Sequence, residues 1–227
     1  AKSGATAVGA REFLIAYNIN LNTTSTRRAN AIAFDVRERG RTKRKGDPLT
    51  GEIVRDGQGN PVMIPGSLKE VKAIGWYIEE YGIAQISMNL TDVKVTPVHV
   101  AFDEVCRRAD ARGIRVTGSE LVGLVPLQSM LEAGKHYLRK QQRSLGIPDR
   151  EILKIAVKSM GLDDLKPFDP AEKIIEYQAG LVDGSLVCLS NRDFVDELST
   201  DSPAPGGGSV AALCAAQSAA LCGMVAN

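Results

Sequence analysis

Apolar and polar residues change their period several times along the chain, and each change marks an element. Over residues 12–20 (EFLIAYNIN) they alternate, with Phe13, Ile15, Tyr17 and Ile19 on one side and Leu14, Ala16, Asn18 and Asn20 on the other. This predicts a strand with a core face and one polar end. Residues 24–39 carry Ala29, Ile32, Ala33 and Val36 at helical spacing, with Gly40 placed to stop the helix. Residues 40–67 are polar, basic and rich in glycine, and GEIVRDGQGNPVMIPG reads as a small exposed hairpin turning at residues 56–60. Two strands follow, residues 71–79 and 83–91, joined by a tight turn at Tyr81 and Gly82 and therefore antiparallel. Thr96 as N-cap and Pro97 at the first helical position open a helix in which Val98, Phe102, Val105 and Ala109 recur as far as Gly113. Residues 114–121 alternate as a fourth strand, Pro126 opens a helix to residue 143, and Pro148 opens another stopped by Gly161.

The order strand, helix, strand, strand, helix, strand predicts an α/β (α+β) fold of the ferredoxin-like βαββαβ kind, with extra helices at the C-terminal end. Both crossover helices then lie on one face of a four-stranded antiparallel sheet and leave the other open. To that open face the third strand contributes Gln85, Ser87 and Asn89, and the first contributes Asn18 and Asn20. Alternation along the fourth strand adds Arg115, Thr117 and Ser119. Amides, hydroxyls and a guanidinium on one face can orient a polar ligand through directed hydrogen bonds. A plain wetted face is the simpler alternative. Gly118 and Gly123, around a strand end before a proline-started helix, allow close approach of backbone N–H groups to a ligand; the small-residue stretch KSGATAVG (residues 2–9) can form part of the same rim.

Composition narrows these options. With 44% apolar and 5% aromatic residues the core is aliphatic, and a net charge of +1 argues against a global field for nucleic acid or anionic membranes. Any anion site is local, and the run RERGRTKRK (residues 37–45) is its candidate, against the ordinary reading of a solvated loop. Aromatics on one strand only, sharing a face with Ile15, do not make an RNA platform. The four cysteines and two histidines show no metal-ligand spacing, and no catalytic set is visible; His99 at a helix start and His136 within a helix read as structural or surface groups. Free cysteines suit a reducing cytoplasm.

A proline- and glycine-rich stretch, PAPGGGS at residues 203–209, precedes residues 210–226, which are almost wholly small or apolar. They fall just short of a membrane span and, with Gln217 and Ser218 inside, suit tight helix packing better than lipid. The expected organisation is a first domain over residues 1–177, a linker over 178–200, and over 201–227 the opening of a helical second domain whose remainder lies outside this sequence.

Several long segments resemble a known family. GAREFLIAYNINLNT, KAIGWYIEEYGIAQISMNL, TGSELVGLVPL and GLDDLKPFDPAEKIIEY are similar to the C-terminal subdomain of glutamate formimidoyltransferases. FVDELSTDSPAPGGGSVAALCAAQSAALCGMV resembles the start of the cyclodeaminase domain that follows it in bifunctional members. The resemblance implies transfer of a formimino group from N-formimino-L-glutamate to tetrahydrofolate, the co-substrate, in histidine degradation, with cyclodeaminase activity in the parent protein. It implies two α/β subdomains holding folate between their sheets; a homo-oligomer is expected, with neither nucleic acid nor membrane as a partner. The resemblance places Gly4, Ala5 and Thr6 near folate; with Asn18, Asn20, Gln85, Ser87, Asn89, Gly118 and Ser119, read from the strand pattern, they are the expected folate-binding residues, and Arg41, Lys43, Arg44 and Lys45 are implied to meet the polyglutamate tail. The family's catalytic histidine belongs to the N-terminal subdomain and its cyclodeaminase aspartate lies beyond residue 227, so no catalytic residue and no metal is expected here and the isolated chain should be inactive. The alternative is a ferredoxin-like interaction or regulatory module that docks a partner on its open sheet face.

Overall fold

In chain order the elements are β1 (Ile15–Leu21), α1 (Thr26–Val36), β2 (Arg41–Thr42), β3 (Met63–Ile64), β4 (Val71–Ile78), β5 (Ile83–Leu90), α2 (Val98–Asp110) and β6 (Val116–Val122). There follow α3 (Leu127–Lys140), α4 (Asp149–Met160), the short α5 (Pro170–Lys173) and α6 (Ile175–Gln178), α7 (Asn191–Leu198) and α8 (Gly207–Ala226). This computed structural model describes residues 4–226 except 49, 181–185, 187 and 202. Lys2 and Ser3 of the small-residue lead, part of the expected linker, and Asn227 lie outside the described residues. The chain divides into two compact units, one of Ala1–Gly123 with Met160–Pro167, the other of Leu124–Ser159 with Phe168–Asn227.

The first unit is an α/β structure on a four-stranded antiparallel sheet of order β4-β5-β1-β6. Its core face collects Ile15, Tyr17, Ile19 and Leu21 from β1, Ala84, Ile86, Met88 and Leu90 from β5, and Val71 and Ala73 from β4, all buried. Buried Ala29, Ile32 and Val36 of α1 and Val98, Ala101, Val105 and Ala109 of α2 complete it; α1 packs on β4, β5 and α2, and α2 reaches β1 and β6. Each fully buried Ile or Leu contributes about 2 kcal/mol. Phe13, expected in this core, precedes β1 and is 65% exposed.

Two details show how local chemistry closes this unit. Gly75 of the edge strand β4 sits so close to α1 that an added Cβ would lie 2.3 Å from the Asn30 nitrogen. The Asn30 carboxamide then pairs with both free backbone groups of Gly75: Nδ2 donates to the carbonyl and Oδ1 accepts from the N–H, each at 3.0 Å. A side-chain amide thus takes the place of a fifth strand at an edge that would otherwise be open. At α2 the N-cap is Pro97, without a side-chain cap; the Thr96 hydroxyl instead donates to the Lys69 carbonyl at 2.7 Å, and its residue is buried. The glycine-rich insert carries the β2–β3 ladder and further bridges at Arg44–Ile53 and Arg55–Pro61, with Asp56 Oδ1 accepting from the backbone of Gln58 and Asn60.

In the second unit α3 and α4 meet at Gly134, whose added Cβ would lie 2.2 Å from the Ile152 carbonyl oxygen. The N-terminus of α3, preceded by Pro126, is capped from afar: Leu127 N–H donates to Glu176 Oε2 at 2.7 Å, a carboxylate placed where the helix dipole favours it. The stretch expected to be an irregular linker contains the helix α7, with the Ser190 hydroxyl accepting from the Asp193 N–H. Helix α8 begins at Gly207 and so runs for 20 residues, long and apolar enough by length and composition to cross a membrane (mean hydropathy 1.7).

Candidate functional site

The sheet face opposite α1 and α2 can be written row by row from the strand register. Trp76, Gln85, Asn20 and Gly118 form one row across β4, β5, β1 and β6. Ile74, Ser87, Asn18 and Glu120 form the next, and Lys72, Asn89, Ala16 and Val122 the third. Five polar residues expected on this face, Asn18, Asn20, Gln85, Ser87 and Asn89, are therefore brought together in adjoining rows. Their exposure is graded: Asn20 and Gln85 are fully buried, Asn18 is nearly so, Ser87 is half-buried and Asn89 is exposed.

Burial at one end has a specific cause. The turn after α4 lies along β6, where Ser119 N–H donates to the Gly161 carbonyl at 2.9 Å. It sets Asp164 over Gly118, so that an added Cβ at Gly118 would lie 2.4 Å from Asp164 Cβ. The space that glycine leaves is taken up by this aspartate. Asp164 Oδ2 accepts from Asn20 Nδ2 at 3.2 Å, and Asn20 Oδ1 accepts from Gln85 Nε2 at 2.7 Å. In the next row Glu120 Oε2 accepts from Asn18 Nδ2 at 3.3 Å.

Ser119 does not belong to this face. Its partner in the register is Ile19, so it points to the core side, where its hydroxyl accepts from Tyr17 OH at 2.9 Å and donates to the Met160 carbonyl at 2.6 Å. The reason is a β-bulge: Asn20 pairs with Gly118 but Leu21 with Val116, leaving Thr117 as an extra residue that inverts the alternation. Beyond the bulge Gly118, Glu120 and Val122 therefore stand on the face, and Ser119 leaves it. Glu120 was legible as a candidate only to a reading that placed the bulge. Asp164 comes from a different element, and its one signal in the sequence is Gly118, a strand glycine that marks a close neighbour.

The remaining candidates are scattered. Gly4 (φ +73), Ala5 and Thr6 are exposed and lie in no strand or helix. Arg41 is not an open anion site: with Arg112 it pairs with Asp35, and it also donates to the Ala31 carbonyl. Burial first, and then the neighbouring Arg112 and Arg108, pull its guanidinium below the ordinary value. Arg44 donates to the Gly51 carbonyl at 2.7 Å, and Lys45 stands 3.8 Å from exposed Glu52. Lys43 is exposed in the insert. Among the described residues no group of His, Cys, Asp and Glu is arranged to hold a metal ion.

The first unit is thus a helix-backed antiparallel sheet whose second face is lined with amides. The formiminotransferase domain family matches residues 16–180, and the formiminotransferase-cyclodeaminase family matches residues 190–227. The chain belongs to the formiminotransferase domain family. It is 46% identical over 224 residues to a formimidoyltransferase-cyclodeaminase of Gallus gallus and 45% identical over 225 to that of Sus scrofa, in each case over 98% of this chain and 38% of the relative. It is 34% identical over 138 residues to a glutamate formimidoyltransferase of Thermoplasma acidophilum, covering 61% of this chain and 37% of that protein. The chain thus spans well under half the length of these relatives.

Proposed function

We propose that this chain is one half of a formimidoyltransferase, and that the amide-lined sheet face forms one wall of the site for tetrahydrofolate. The reaction is transfer of a formimino group from N-formimino-L-glutamate to tetrahydrofolate, in histidine degradation. The parent protein then also acts as a formimidoyltetrahydrofolate cyclodeaminase, which the match over residues 190–227 supports. The observation that carries the reading is the convergence of Asn18, Asn20, Gln85, Ser87 and Asn89 on one face in a chain of this family.

The strand order β4-β5-β1-β6 supports a ferredoxin-like arrangement for the first unit. The proposed domains are residues 1–177 for the transferase subdomain, 178–200 for the linker and 201–227 for the start of the cyclodeaminase domain. Gly4, Ala5 and Thr6 are proposed to border the folate, and Lys43, Arg44 and Lys45 to meet its polyglutamate tail. The protein is proposed to be a cytoplasmic homo-oligomer that takes no nucleic acid. Helix α8, with Gln217, Ser218 and Gly223 in its length, is proposed to pack against protein and not lipid. These 227 residues alone are proposed to turn over neither reaction; product formed by a pure sample would refute this.

The test is calorimetric titration of tetrahydrofolate into the complete bifunctional protein. Asn18→Ala and Asn89→Ala should each weaken binding by about 1 kcal/mol, the worth of one directed hydrogen bond, with melting temperature held near the wild-type value. Unchanged affinity in both variants removes this face from the folate site.

A further inference from the structure

Access to the open sheet face is uneven. In the row of Trp76, Gln85, Asn20 and Gly118 the two amides are fully buried and Asp164 stands over Gly118, so a ligand meets this row at Trp76, which is 45% exposed. In the next row Ile74 is 56% exposed and Ser87 half-buried, and in the third Lys72 and Asn89 are both exposed. A continuous accessible strip therefore follows the outward positions of β4, aromatic at Trp76, aliphatic at Ile74 and cationic at Lys72, with Ser87 and Asn89 beside it. Exposed apolar side chains next to one another on an edge strand often await a further strand, but this edge is already occupied. Asn30 closes both free backbone groups of Gly75, and Glu38 N–H donates to the Val71 carbonyl at 2.9 Å. Whatever covers Trp76 and Ile74 thus lies on the face itself. The charges are also sorted: Lys72 stands on β4, and the carboxylates Glu120 and Asp164 stand on the side of β6.

Resting on the folate reading above, we infer that this strip of β4 fixes the direction of tetrahydrofolate on the wall, with the pterin on Trp76, the p-aminobenzoyl ring on Ile74 and the glutamate carboxylates at Lys72. Trp76 and Lys72 are then specificity-determining residues of the folate site. Four residues separate them, about 13 Å at the rise of a strand, and extended tetrahydrofolate covers a comparable length between its pterin and its first carboxylates. The chemistry agrees position by position. The flat pyrimidine ring of the pterin stacks on an indole, the benzoyl ring packs on an aliphatic side chain, and a carboxylate pairs with an ammonium group. Ser87 and Asn89, opposite Ile74 and Lys72, are placed to hydrogen-bond the amide that joins benzoyl to glutamate. The reverse direction would bring carboxylates to the row that carries Asp164 and leave Lys72 facing a pterin.

The experiment titrates the complete bifunctional protein with two probes, tetrahydrofolate and tetrahydropteroate, which lacks the glutamate. Trp76→Ala should weaken both probes roughly tenfold, the worth of one aromatic stack. Trp76→Phe, which keeps a flat ring, should recover most of that loss, whereas Trp76→Leu, which keeps only apolar bulk, should not. Lys72→Gln should weaken tetrahydrofolate roughly fivefold, as for one exposed ion pair, and leave tetrahydropteroate unchanged. Both side chains are exposed, so melting temperatures should stay near the wild-type value. Three results overturn the inference: wild-type affinity for both probes in Trp76→Ala, equal behaviour of Trp76→Phe and Trp76→Leu, or a Lys72→Gln effect that does not distinguish the probes. Failure of the folate reading shows differently, because Asn18→Ala and Asn89→Ala then also bind tetrahydrofolate as wild type does. Weakened binding in those two with any of the three results above would strike the direction alone.

Discussion

Single side chains in this protein hold their neighbours to one orientation, and Glu104 is the most exposed to test. Burial raises its carboxyl, but hydrogen bonds from Arg107, Ser67 and Arg108 outweigh that and bring it to about 2. A carboxylate depressed in the folded state stabilises above its ordinary value of 4.5 and loses that contribution as pH falls toward 2. Glu104→Gln should therefore cost about 1 kcal/mol at pH 7, and the gap in melting temperature from wild type should close progressively below pH 4.5. A gap that does not change with pH would assign the effect to packing. At Gly118 the argument is steric: Gly118→Val should push the Asp164 turn off β6. The expected signature is faster hydrogen exchange at Ser119 N–H, which donates to Gly161.

At the scale of elements the edge strand β4 depends on a helix side chain. Asn30→Ala leaves the Gly75 N–H and carbonyl unpaired beneath α1 and should destabilise by about 2 kcal/mol, measured by urea unfolding. Asn30→Asp can accept from the Gly75 N–H but cannot donate to its carbonyl, so it should recover part of the loss. Most elements were legible from periodicity, because the core strands and the crossover helices keep their period over seven or more residues. Two features were not. The bulge at Thr117 is a backbone irregularity with no signature in the alternation, and the helix α7 is short, with Phe194 as its single buried residue.

For the molecule as a whole, α8 presents Leu221, Met224 and Val225 at 62%, 69% and 84% exposure, an apolar surface that favours association. Replacing Leu221 and Val225 together by Gln should lower the apparent mass of these 227 residues in light scattering; an unchanged mass would place self-association elsewhere. What the sequence determined by itself is whatever depends on local spacing: the strands, the amphipathic helices, the run of amides on one side of β1 and β5, and the family. Periodicity alone suffices there, because Asn18, Asn20, Gln85, Ser87 and Asn89 alternate with core residues whose burial leaves them only one face. The tertiary structure alone decided which groups those amides address. Asp164 lies 144 residues from Asn20, and Glu120 reaches Asn18 only after the bulge inverts β6. Hydrogen-bond direction is a property of a connected network, so the unpartnered oxygen of Gln85 exists only once the chain has closed on itself.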